Sequence, residues 1–349
     1  MDPLLLQALQ AELRGHSAWG EVALVPLADK GLAHHHVRLI GTGWLARIPK
    51  QSQLGLEPQA NLAHQQACFE RAAPSGLTPR FSQALPVSAR LPRGALIVEE
   101  IVGDPAVLPR DLTAMAQALA AVHALPLPPA GERAPLASDS DPLRALVDEI
   151  GQQARHLPDA GLPAAVATAL RQELSALRRL PERLDRPPCR LIAFDAHPGN
   201  FVVRPSGQAV LVDLEKCRYA YPGLDLAHAT LYTSTTWDIT SQVRLDVHQV
   251  AGFYAAWAAA AGPGIADAAR TWHVPLRHAM WLWSLTWCCK WRALSQRQPQ
   301  RSAGGEDWSA ANSDAALVAH VRDRVDHYLS EPAMALVLRE LRLLQAEFG

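Results

Sequence analysis

The chain lacks an excess of charge of either sign. Its 349 residues carry 33 Lys plus Arg against 34 Asp plus Glu, a formal net charge of -1. A protein whose main task is to hold polyanionic nucleic acid needs a basic surplus, so that class is excluded. Charged residues are scarce as a whole, at 19%, while 49% are hydrophobic, which is the balance of a folded globular chain. Cysteine is sparse too: Cys68, Cys189, Cys217, Cys288 and Cys289 form an odd set without a C-x-x-C pair. A disulfide framework or a zinc ribbon is therefore not expected, and reduced thiols are. Long hydrophobic runs are missing, since Phe253 to Ala261 and Ala279 to Cys289 fall short of the ~20 residues of a membrane span. The first residues, Met1-Asp2-Pro3-Leu4-Leu5-Leu6, place an acid early and lack the basic segment of a signal peptide. A cytoplasmic protein with no membrane span is the expectation. Phe and Tyr are few, six and five, yet Trp numbers ten, and seven of those lie between Trp237 and Trp291.

Along the chain the pattern changes character near residue 105. Leu5, Leu6, Leu9 and Leu13 predict a first helix, Val22 to Leu27 a strand, and Val37 to Ile48 a hairpin turning at Gly41-Thr42-Gly43. Gln59 to Ala73 reads as a helix closed by Pro74-Ser75-Gly76, and Ala95 to Val98 as a strand, with a break at Gly103-Asp104-Pro105. Beyond that, Leu112, Met115, Leu119 and Val122 share one helix face, and the helix ends near His123. Asp141-Pro142 opens another helix with Leu143, Val147 and Ile150 on one side, and Val166, Leu170, Leu174 and Leu177 mark a third. Gln296 to Ser313 is polar and reads as a loop.

One segment concentrates polar groups fit for chemistry. Leu191-Ile192-Ala193-Phe194-Asp195-Ala196-His197-Pro198-Gly199-Asn200 leads into Phe201-Val202-Val203, a Pro205-Ser206-Gly207 turn, Ala209 to Val212, and then Asp213-Leu214-Glu215. Two short apolar strands about a turn make a hairpin. Asn200 enters one strand and Asp213 leaves the other, so antiparallel pairing brings them together, with Asp195 on the loop just before. Such oxygen donors suit Mg²⁺ that leans on nucleotide phosphates, and Asp195 would orient and deprotonate a hydroxyl nucleophile.

D-x-x-x-x-N, a hairpin and then D resembles the catalytic core of the protein-kinase-like fold. The form D-x-H-P-G-N followed by Val212-Asp213-Leu214-Glu215 resembles its small-molecule branch, the aminoglycoside phosphotransferase and choline kinase-like superfamily. Leu119 to Pro126, Pro222-Gly223-Leu224-Asp225-Leu226-Ala227, and Ile97 to Gly103 agree with that family in order, across roughly residues 25 to 240. The resemblance implies an α+β bilobal fold: a small β-rich nucleotide-binding lobe over residues 1–98, a hinge at 99–104, and a larger, mainly helical catalytic and acceptor-binding lobe at 105–349. It implies a kinase of a small molecule, using ATP and Mg²⁺, with an amino alcohol, sugar or amino sugar as acceptor and no nucleic-acid partner; the oligomeric state stays open. Asp195 would be the catalytic base, Asn200 and Asp213 the metal ligands, and Asp225 the brace of the catalytic loop. Gly31, on the Gly31-Leu32-Ala33 turn, would lie over the phosphates, Arg47 would pair with them, and the backbone at Glu99 and Ile101 would meet adenine. Glu215 would face the metal or, with Trp237 and Asp238, the acceptor.

The chain departs from the wider fold's pattern in four places, one of them a phosphate loop poor in glycine. Ala193 stands where protein kinases carry a histidine, Arg47 replaces lysine, and Gln65 occupies the position aligned with its glutamate partner. The acid that pairs with Arg47 is thus left open, and a nucleotide-binding pseudokinase acting as scaffold or sensor is the alternative function. Two further features have plain explanations. His34 and His36 would share one side of a strand, but no third metal ligand is in sight. Trp283, Trp287 and Trp291 share a helix face, which reads as core packing ahead of an aromatic wall for an acceptor. Thr233 to Asp238 would either cap the next helix or wall the acceptor site.

Overall fold

A computed structural model describes residues 1–15, 19–27, 33–238, 242–295 and 315–348. Gly31 and the segment read as a loop from Gln296 to Ser313 lie outside the described residues. After α1 (Pro3–Leu13), a sheet is built from β1 (Leu24–Pro26), β2 (His34–Leu39), β3 (Trp44–Pro49), β4 (Phe81–Leu85) and β5 (Ala95–Glu99). Its order is β1-β2-β3-β5-β4 and every pair is antiparallel. The helix α2 (Pro58–Ala72) crosses between β3 and β4.

Strand alternation divides this sheet's two faces. Val37, Ala46, Ile48, Ala95 and Ile97 pack with Leu9, Leu13 and Trp19 into one core. The register pairs Arg47 with Leu96, Leu45 with Val98 and His36 with Arg47, so these residues share the opposite face. There Leu96 and Val98 join Leu62 and Phe69 of α2 and Phe201, Leu211 and Leu214 of the hairpin segment in a second core. Apolar burial therefore runs without a break from the sheet into the other lobe. Arg47 points inward and is buried.

The second lobe begins with β6 (Asp104–Pro105), which pairs with β8 (Phe201–Val203); the break read at Gly103 to Pro105 is thus a two-residue strand. Next come α3 (Leu112–His123), α4 (Pro142–Ala154), α5 (Ala164–Leu177) and β7 (Arg190–Ile192). Asp141 caps α4 by accepting from Leu143 and Arg144 N–H. The hairpin of β8 with β9 (Ala209–Leu211) follows, and β10 (Arg218–Ala220) returns to pair with β7. The chain ends in α6 (Pro222–Thr230), α7 (Tyr232–Thr235), α8 (Val247–Ala261), α9 (Pro263–Arg270), α10 (His273–Ser295), α11 (Ala315–Tyr328) and α12 (Glu331–Phe348). A third core gathers α4, α5, α6, α10, α11 and α12 around Trp272, Trp281, Trp283 and Trp291. The tryptophan excess is mostly packing: Trp257, Trp272 and Trp281 are among the largest fully buried side chains. Among the described residues no helix is long and apolar enough to cross a membrane.

Candidate active site

The hairpin register places Phe201 opposite Leu211, and Val212 N–H donates to Asn200 O at 2.9 Å, so Asn200 and Asp213 leave the hairpin side by side. A single 3₁₀ turn, Pro198–Asn200, folds the preceding loop back, with His197 capping it by accepting Gly199 N–H at its Nδ1. Asn200 Nδ2 donates to Asp195 O at 2.8 Å, which fixes the amide orientation and leaves Asn200 Oδ1 as an acceptor. Asp195, Asn200 and Asp213 are thereby brought together.

Asp195 is not alone. Lys216 Nζ stands 2.8 Å from its Oδ2 and His228 Nδ1 3.7 Å from its Oδ1. Burial by itself would push this carboxyl up, but Lys216, His197 and His228 outweigh it and hold Asp195 below the ordinary carboxylate value. Burial drives His228 down to about 4, so its imidazole is neutral at pH 7. Neither Lys216 nor His228 stood out in the sequence. The signal for Lys216 was its place three residues after Asp213, a contact made only once the chain turns toward β10.

From the other lobe, Arg47 Nη2 reaches Asp213 Oδ1 at 2.5 Å and donates to His34 Nδ1 at 3.1 Å. His34 must then carry its proton on Nε2, where it meets Gln65 Oε1 of α2 at 3.0 Å. Burial and the Arg47 charge keep His34 well below the usual histidine value, as a neutral relay requires. The acid facing Arg47 is Asp213, and a His34–Gln65 pair stands where a glutamate was sought. His34 and His36 share their sheet face with this guanidinium, which repels a cation; among the described residues no cluster of three His, Cys, Asp or Glu could hold a metal.

Glu215 joins this group: its Oε2 lies 3.6 Å from His34 Nε2, and its carbonyl is 3.0 Å from His64 Nε2 of α2. Burial first, then the Asp213 charge, pushes Glu215 up to about 8. Asp213 itself, despite burial, is held low by Arg47. Glu215 Oε1 and Arg47 Nε are buried without a hydrogen-bond partner among the described residues, which leaves one acid and one cationic donor unsatisfied between the lobes. Hard oxygen donors with an unmatched guanidinium N–H beside them fit Mg²⁺ and the phosphate oxygens it binds.

Asp225 sits beneath the loop with no exposure at all. Its Oδ2 accepts Ala193 N–H at 2.8 Å and His123 Nε2–H at 3.1 Å, and its Oδ1 accepts Phe194 N–H at 2.8 Å. His123, at the end of α3, accepts in turn from Trp257 Nε1 at 3.0 Å. A histidine from a distant helix thus supports the loop in which Ala193 cannot. Phe194, the residue before Asp195, has φ of 58°, a left-handed conformation that costs a side-chain-bearing residue about 1–2 kcal/mol.

Glu99 closes β5 and its carboxylate accepts from Arg80 N and Nε, both at 3.1 Å. Glu100 N–H donates to Gly43 O, and Ile101 N–H has no backbone acceptor among the described residues. On the other side of the loop, Trp237 stacks on Tyr328 at 6.3 Å and meets Trp287 edge-on at 5.6 Å. Its carbonyl accepts from His320 Nε2 at 2.6 Å. The Asp238 carboxylate lies against Gly199, where a Cβ would meet its Oδ2 at 2.8 Å. Residues Thr233 to Asp238 do not cap α8, which is capped by Asp246.

The sequence model of the phosphotransferase enzyme family matches residues 28–269. No match is found among curated proteins by sequence. In structure the chain is similar to a choline/ethanolamine kinase family protein from Mesorhizobium loti, with TM-score 0.60, 17% identity, and 97% of this chain and 99% of that chain covered. It is also similar to a choline kinase from Streptococcus pneumoniae, with TM-score 0.56, 13% identity, and 93% and 99% covered. A GDP complex of aminoglycoside 2'-phosphotransferase-IIIa gives TM-score 0.61 at 13% identity, with 94% and 99% covered. At such identities the likeness speaks for the fold, the bilobal protein-kinase-like one.

Proposed function

Because the chain belongs to the phosphotransferase enzyme family, we propose that it transfers the γ-phosphoryl group of ATP to a hydroxyl of a small metabolite, such as an amino alcohol, a sugar or an amino sugar. The observation that carries this reading is the meeting of Asp195, Asn200 and Asp213 at one end of a hairpin, with Arg47 brought to them from the opposite lobe. Asp195, ionised at neutral pH, accepts the hydroxyl proton and aligns the attacking oxygen. Asn200 and Asp213 would hold Mg²⁺, whose chemistry there is to neutralise phosphate charge. Arg47 and its unmatched Nε–H serve the phosphates, and Glu215 supports the metal side. The backbone at Glu99 and Ile101 takes the adenine, and Asp225 keeps the loop in register. Trp237 and Asp238 face the acceptor.

Lys216 has to share Asp195 with the incoming hydroxyl. That same 2.8 Å ion pair is the observation favouring the second reading, a nucleotide-binding pseudokinase whose base is permanently occupied. Purified protein assayed with Mg²⁺ and ATP or GTP against a library of amino alcohols, sugars and amino sugars separates the two. Transfer that falls by about 10²–10⁴-fold in Asp195→Asn, with an unchanged circular dichroism spectrum, supports the kinase. Nucleotide binding without turnover across the library supports the scaffold.

A further inference from the structure

Phe194 raises a question of mechanics: what keeps a non-glycine residue at a φ of 58° directly before the group that handles the proton? Its N–H is held from below by Asp225. Its ring is held from two other sides. The Arg218 guanidinium of β10 lies 3.6 Å from the ring centroid, and the Trp283 indole of α10 meets it edge-on at 5.2 Å and 83°. Both clamps lead to one carboxylate on α4: Arg218 Nη1 donates to Glu149 Oε2 at 2.9 Å, and Trp283 Nε1 donates to Glu149 Oε1 at 2.7 Å. The two oxygens of Glu149 therefore tie the two walls of the Phe194 cage together.

The cage is not closed by packing alone. A cleft of about 250 Å³ opens beside it, lined by Asp139, Leu146, Glu149, Phe194, Arg218 and Tyr219 among others. The Arg218 guanidinium is anchored over the ring by its ion pair with Glu149 at the edge of this cleft. Trp283 is nine-tenths buried and fixed on its helix, so it supplies a stationary reference through which Glu149 registers Arg218.

We infer that Glu149 is a positioning residue for the transfer reaction, acting through Arg218 and Trp283 on Phe194 and so on the Asp195 carboxylate. This rests on the reading of Asp195 as the catalytic base. A displacement of about 1 Å at a reacting group costs up to about a hundredfold in rate. Glu149→Ala is accordingly expected to lower kcat by about ten- to a hundredfold while the KM values for nucleotide and acceptor stay within about twofold, since Glu149 is not among the residues proposed to hold either ligand. Glu149→Gln, which keeps an oxygen for Trp283 but drops the charge facing Arg218, falls between Glu149→Ala and the parent.

The decisive measurement is a double-mutant cycle with Phe194→Gly, a residue that adopts positive φ without strain. If the cage exists to hold Phe194, adding Glu149→Ala to Phe194→Gly changes kcat by less than about twofold. Additive losses, or a KM rise with kcat intact, overturn the inference. Should Phe194→Gly fail to fold, the cycle is run with Phe194→Asn, since asparagine also tolerates this region. Asp195→Asn serves as the control. Full activity in Asp195→Asn refutes the reading of the base, whereas loss there with an unaffected Glu149→Ala refutes the positioning role alone.

Discussion

Asp225→Asn is the most searching substitution for the loop's architecture. The carboxylate is fully buried and satisfies three donors: Ala193 N–H, Phe194 N–H and His123 Nε2–H. An amide has one acceptor oxygen. Its best placement keeps that oxygen where Oδ2 serves two donors and turns the NH₂ toward Phe194 N–H, leaving two donors face to face. An orphaned buried donor costs about 1–3 kcal/mol, and the two remaining bonds lose the strengthening given by a charge. The expected loss of stability is about 3 kcal/mol, undiluted by solvent because the site has no exposure. For 349 residues unfolding as one unit, the unfolding entropy is about 0.7 kcal/mol/K, so the midpoint should fall by about 4 °C. The released N–H belongs to the strained residue before Asp195, so kcat should fall by more than tenfold, roughly, even well below the transition. Differential scanning calorimetry with steady-state kinetics tests both numbers. A variant melting within about 1 °C of the parent at unchanged kcat would show that the carboxylate does not hold the loop.

Other consequences are as direct. Arg47→Lys cannot reach Asp213 and His34 at once with a point charge; the nucleotide KM should rise by about tenfold while the acceptor KM is unaffected, and equal nucleotide titrations of both proteins would count against the relay. Burial holds His273 down to about 4 against Tyr254 and Phe348. The unfolded chain binds that proton below about pH 6.5 and the folded chain does not, so stability present above 6.5 is lost as pH falls toward 4, by up to about 3 kcal/mol. His273→Phe should flatten this part of a urea-midpoint profile. Gly103 has no room for a side chain, since a Cβ would sit 2.3 Å from Val203 O; Gly103→Ala should part β6 from β8 and lower stability by about 1–3 kcal/mol, read as a shifted denaturation midpoint.

Much of this protein was legible in one dimension because the relevant order is local. The 3.6-residue stripe of Leu112, Met115, Leu119 and Val122 gave a helix whose apolar face is buried as read, and the cap at Asp141 is made by side-chain bonds two and three residues away. In that helix Leu146 takes the buried place, and Val147 is half-buried beside it. Strand β4 went unread, because Phe81-Ser82-Gln83-Ala84-Leu85 owes its pairing to β5 and not to its own alternation. The meeting of Asp195, Asn200 and Asp213 follows from hairpin pairing over thirteen positions, a near-local matter.

What sequence by itself determined, then, is the order of chemical groups along the chain and the elements that carry them. Tertiary structure decided which groups answer one another. Arg47 finds its acid 166 positions away, and His123 reaches Asp225, the brace of the loop, across 102 positions. Glu149 meets Trp283 across 134 positions. Such pairs leave no periodic trace, because they are fixed by how sheet faces and helices pack and not by the turn geometry of any one segment. The tryptophans show the same division. Their spacing put three on one helix face and favoured core over an acceptor wall, and the surrounding helices are what bury most of them.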